Sequence, residues 1–100
     1  MKRITLHPEA EDELGASENF YEERGGHRLA LDFARRVQAA LQIVAANPAR
    51  FPHLTQYPQV RKARVTRFPF SIYYIEREPD IWVIAIAHAK RRPGYWTERI

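Results

Sequence analysis

One hundred residues, 45% of them apolar, are enough for one compact domain spanning residues 1–100, which would bury about 60 to 70% of the surface its unfolded chain exposes. Cysteine is absent, which excludes disulfide staples, thiolate metal sites and a cysteine nucleophile, and suits a reducing compartment. The net charge of +4 is uneven: residues 1–50 hold seven Lys/Arg and eight Asp/Glu, residues 51–100 nine and four. The basic half suits a polyanionic or acidic partner, or is an ordinary solvated surface.

The alternating Lys2 to Leu6 predicts an opening strand with Ile4 and Leu6 on one face. Pro8 suits a first helical position, and Glu9, Glu11, Asp12 and Glu13 complement the positive end of the helix dipole. Ala10, Leu14, Ser17 and Tyr21 then recur at helical spacing until Gly25-Gly26 stops the helix. A second helix is predicted over His27 to Ala46 from Ala30, Phe33, Ala34, Val37, Ala40, Leu41, Val44 and Ala45, and Asn47-Pro48 ends it. The glycine joint makes the two an antiparallel pair.

After a loop punctuated by Pro48, Pro52 and Pro58 the period falls to two. Val60 to Thr66, Phe70 to Glu76 and Ile81 to Ala87 read as strands, with Phe68-Pro69 and Glu76 to Asp80 as the breaks. His88 to Ile100 is a basic tail with room for a short helix. The predicted class is α+β, ordered β-α-α-β-β-β: an antiparallel sheet with an N-terminal helical hairpin packed on one face. The longest apolar run is Ile81 to Ala87, too short to span a membrane, and the N-terminus lacks a signal-peptide core, so a soluble cytoplasmic protein is expected.

Alternation on the second strand puts Lys62 and Arg64 opposite Ala63 and Val65. With the helices on the apolar face, these two cations project from the open face about 7 Å apart, able to engage neighbouring phosphates or simply to meet solvent. His88 ends the last strand and precedes Lys90, Arg91 and Arg92. An imidazole can move a proton near neutral pH and guanidinium groups can stabilise a phosphorane-like transition state, a combination open to a metal-free ribonuclease. A histidine at a strand end is also commonly structural. Tyr73 on the open face, and Tyr95 and Trp96 in the tail, can stack on bases or pack. There is no glycine-rich phosphate loop, no nucleophile elbow and no metal-ligand spacing among His7, His27, His53 and His88, so neither cofactor nor metal is indicated.

Taken in order, the segments resemble a known family. The opening strand into His7-Pro8-Glu9-Ala10-Glu11-Asp12-Glu13-Leu14, then Phe20-Tyr21-Glu22-Glu23-Arg24 and Asn47-Pro48-Ala49-Arg50-Phe51-Pro52, resemble toxins of the RelE/ParE superfamily. So do Val60-Arg61-Lys62, Phe68-Pro69-Phe70-Ser71-Ile72-Tyr73-Tyr74 and His88-Ala89-Lys90-Arg91-Arg92-Pro93. The resemblance implies a type II toxin that arrests growth unless a cognate antitoxin neutralises it. RelE-like members cut mRNA on the ribosome; ParE-like members inhibit DNA gyrase without being nucleases. Lys62, Arg64 and Arg92 match the basic residues of the ribonuclease branch, and with His88 they are the candidate catalytic set. Arg61, Tyr73, Lys90, Arg91 and Tyr95 are candidate nucleic-acid or target contacts. The chain departs from that branch at Ser71, where an arginine is usual, and at Trp96, near which its tail tyrosine falls while Tyr95 lies one residue early.

Overall fold

The computed structural model describes residues 1–100, which form a mixed α+β fold with a four-stranded sheet. Strand β1 (Arg3–Leu6) leads into helix α1 (Pro8–Ala46), a 3₁₀ turn (Pro48–Arg50), strands β2 (Arg61–Arg64), β3 (Phe70–Glu76) and β4 (Asp80–His88), and a second 3₁₀ turn (Thr97–Arg99). At its start α1 has Pro8 in the first turn, and the His7 side chain accepts the Glu9 N–H at 3.0 Å, satisfying one of the amides that a helix leaves without a partner.

The helix is interrupted at Gly26, whose φ of 83° and ψ of −176° are foreign to a helix and disfavoured for residues with a Cβ. On a continuous helix Tyr21 and Phe33 would lie about 18 Å apart. Their rings are instead 5.0 Å apart, so the chain folds back at the glycine into two arms. Both arms lie on the same face of the sheet, where Ala10, Phe33, Val37, Ala40, Leu41 and Val44 pack with Ala63, Phe70, Ile72, Tyr74, Ile81 and Val83.

The sheet order is β1-β4-β3-β2. The meander β2-β3-β4 is antiparallel, but β1 pairs parallel with β4, Arg3 opposite Asp80 and Leu6 opposite Val83. This corrects the expected all-antiparallel sheet: the first strand joins across a connection of two helical arms and two strands, so no turn sets its direction. Two further boundaries shift. Asp80, expected in the turn, is the first residue of β4, and β2 is confined to four residues.

Asp80 is buried and receives the Arg77 guanidinium through two bonds, Nε at 2.6 Å and Nη2 at 3.1 Å. These bonds and one from Thr5 hold its carboxyl well below the usual aspartate range. A depressed folded pKa contributes stability that is fully present above the unfolded value of about 4 and is lost as pH falls below it. Denaturant titrations at neutral and acidic pH should therefore show a steeper acid loss for the wild-type chain than for Asp80→Asn. Parallel pH profiles for the two proteins would remove Asp80 from the account.

The second face of the sheet is only partly open. The register between β3 and β4 slips between Tyr73 and Tyr74, which pair with Ala85 and Val83 and leave Ile84 as a bulged residue. The bulge puts both Ile84 and Ala85 on the face away from the helices, where they form a second cluster with Val60 and Trp96. The C-terminal segment thus folds across this face.

A basic cleft built by the sheet and the C-terminal segment

The segment after β4 turns at Gly94, where φ is again 83°, and lays Trp96 onto the sheet at 1% exposure. The indole packs against Tyr57 and Tyr73, with centroids 5.0 and 5.1 Å away. Its Nε1–H is buried without an acceptor. The segment is clasped from the helix side by Glu13. One Glu13 carboxylate oxygen accepts the Ile86 N–H at 3.0 Å; the other accepts the Tyr95 hydroxyl at 2.7 Å and Arg99 Nη2 at 3.0 Å. Arg99 also donates to the Ile84 carbonyl at 2.9 Å and lies 3.6 Å from Glu9.

This clasp has a structural cause. β1 ends at Leu6, opposite Val83, so the β4 edge beyond has no strand neighbour. Glu13 and Arg99 use side chains to satisfy the groups that a strand would otherwise have paired. Burial and the bond to Glu13 push the Tyr95 hydroxyl pKa up, so it stays protonated. For Arg99, burial is the largest single influence and disfavours the charge, but the Glu13 bond and the neighbouring Glu13 and Glu9 charges together outweigh it, and the guanidinium is held more firmly protonated than usual.

Between β2, β3 and this segment lies a cleft of about 350 Å³. Lys62 and Arg64 reach it from β2, Ser71 and Tyr73 from β3, and Arg91, Arg92, Tyr95 and Trp96 from the chain after β4. Ser71 lies opposite Arg64 on β2 and Ala87 on β4, and is buried. No aspartate or glutamate is among the lining residues, and none of the four cations makes an ion pair within the protein. Lys62 Nζ sits 5.8 Å from the centre of the Tyr73 ring and the Arg91 guanidinium 3.8 Å from that of Tyr95, so aromatic walls hold cations in place.

Lys62, Arg64 and Arg92 therefore meet at one cleft, together with Arg91, Tyr73 and Tyr95. The remaining candidates stand differently. Arg61 points away, its guanidinium bonded to the carbonyls of Ala49 and Phe51, so it pins the loop before β2. Lys90 is exposed and outside the cleft. His88 borders the cleft, but its ring packs edge-on against Phe70 at 5.2 Å, and Phe70 belongs to the core under the helices. Its Nδ1 accepts the Lys90 N–H at 3.0 Å, which leaves a single ring nitrogen for any other partner.

Glu13, Arg99 and the burial of Trp96 were not legible as a site. The one available signal was the spacing of Glu9 and Glu13, one helical turn apart on a shared face.

A family model described as the ParE toxin of the type II toxin–antitoxin system, parDE, matches residues 4–93. Among solved structures, a chain of the chromosomal ParDE TA system from P. aeruginosa superposes with a TM-score of 0.75 at 21% identity, over 88% of this chain and 96% of that one. At that identity the likeness is one of fold. No curated protein matches the chain.

Proposed function

We propose that this chain, which belongs to the ParE toxin family of type II toxin–antitoxin systems, arrests growth as a non-nucleolytic inhibitor of DNA gyrase until its cognate antitoxin masks it. The gyrase target and a cytoplasmic site of action follow from the ParE branch of the superfamily. The observation that carries the choice against a ribonuclease is the make-up of the cleft. It gathers cations, while the groups that could move a proton are largely committed: Tyr95 is locked on Glu13 and kept protonated, and His88, at the border of the cleft, packs on Phe70 and gives Nδ1 to the Lys90 N–H, leaving one ring nitrogen. General acid–base catalysis needs a donor or acceptor within hydrogen-bond reach of the reacting oxygen and a pKa near the working pH.

Cleavage of ribosome-bound mRNA is the second reading, favoured by the convergence of Lys62, Arg64 and Arg92. The two readings part in one experiment. Purified chain is added to gyrase with relaxed plasmid and, separately, to a translation extract. The expected result is blocked supercoiling with mRNA left intact, and induced expression of the chain alone should stop growth. Cleaved mRNA with normal supercoiling would reverse the assignment, and Arg64→Ala or Arg92→Ala should then lower cleavage by on the order of 10²-fold.

A further inference from the structure

We infer that the basic cleft binds backbone phosphates of DNA and holds them without cutting, an inference that rests on the gyrase reading for its choice of DNA. Carboxylates are set against Lys2, Arg36, Arg77 and Arg99 elsewhere in the fold. At the cleft, Lys62, Arg64, Arg91 and Arg92 converge with no carboxylate among the lining residues, the nearest, Glu13, being taken up by Ile86, Tyr95 and Arg99. Like charges gathered in this way repel, so an external polyanion that brings them a shared counter-charge is favoured there.

The form of the cleft suits phosphodiesters. Lys62 and Arg64 alternate on a strand with their backbone positions about 7 Å apart, a spacing that can reach successive phosphates along one strand of a duplex. Arg91 and Arg92 add planar guanidinium forks, which match phosphate oxygens through two parallel bonds. The aromatic walls are already engaged: Tyr73 packs against Trp96 and carries Lys62, and Tyr95 carries Arg91. Bases therefore find no free ring to stack on. Contacts made to the backbone alone position a protein on DNA without reading its sequence. An acidic polypeptide presents one charge per flexible side chain and matches the strand-set spacing of Lys62 and Arg64 less regularly than a phosphodiester backbone.

The test is fluorescence anisotropy of the full chain with a short labelled DNA duplex over a range of salt concentrations, run beside the gyrase assay. Four phosphate contacts predict a log–log salt slope of about −3.6. The double variant Arg64→Ala, Arg92→Ala should weaken binding by about tenfold or more and make the slope shallower by about 2. Both residues are exposed, so the melting temperature should hold. Arg35→Ala, on an exposed helix position, serves as the control that leaves binding unchanged. Wild-type affinity and slope in the double variant would overturn the inference, as would displacement of the duplex by polyglutamate at equal charge concentration. Gyrase inhibition by a wild-type chain that shows no duplex binding sinks the DNA site and keeps the gyrase reading. Duplex binding through these residues without gyrase inhibition does the reverse.

Discussion

Replacing Glu13 with alanine is expected to cost about 3 to 5 kcal/mol, the range for removing one partner of a buried, hydrogen-bonded charge pair. The loss has three parts. The Ile86 N–H, the Tyr95 hydroxyl and Arg99 all donate to this one carboxylate, and Arg99 is only 9% exposed, so its charge would remain desolvated with the more exposed Glu9 as its sole anion. Glu13→Gln keeps an acceptor and most of the shape while losing the charge, and should fall between. Urea denaturation reads the stability, and protease sensitivity after β4 reads the release of the C-terminal segment. A change below about 1 kcal/mol would place the clasp among ordinary surface ion pairs.

Trp96→Ala is the second large effect, again about 3 to 5 kcal/mol. The indole is 1% exposed and fills the second cluster with Val60, Ile84 and Ala85. Folded domains of this kind are stable by about 5 to 15 kcal/mol, so the variant approaches the unfolding threshold. Trp96→Phe should behave otherwise. The indole N–H has no acceptor, and leaving a buried donor unpaired costs about 1 to 3 kcal/mol, so the smaller ring removes that penalty while losing some packing. Circular dichroism during urea unfolding should place Trp96→Phe close to the wild-type midpoint and Trp96→Ala far below it. Similar large losses for both would mean that the ring volume alone decides the site.

These effects mark what the sequence could and could not convey. Periodicity located both helical arms: in the second, Phe33, Val37, Ala40, Leu41 and Val44 recur on one face and all five are buried, and in the first Ala10 is buried with Leu14 and Tyr21 packed against the same core. It also located the meander and put Lys62 and Arg64 on the face away from the helices. What failed was anything decided by a distant partner. The parallel direction of β1 depends on β4, and the bulge at Ile84 on how β3 and β4 settle against both faces. His88 was read as a candidate from its residue type, but pairing with Phe70 fixed which way its ring turns. Arg61 has the same side chain as Arg64 and the opposite duty, since an odd offset of three residues along the strand changes the face. The cationic cleft was therefore half legible: its β2 members followed from alternation, whereas its wall required the fold of the C-terminal segment.

The pairing of β1 with β4 also sets when the chain can fold. Glu13 and Arg99 are separated by 86 residues, and the first strand finds its neighbour only in residues 80–83. Loop closure over such spans must come before the contacts that reward it. During synthesis the helical arms can form early from local contacts, but the sheet beneath them lacks its second strand from the edge until β4 emerges, and the cleft lacks a wall until Trp96 does. Completion waits on the last fifth of the chain, so a prematurely terminated chain would have neither a complete sheet nor an assembled cationic surface.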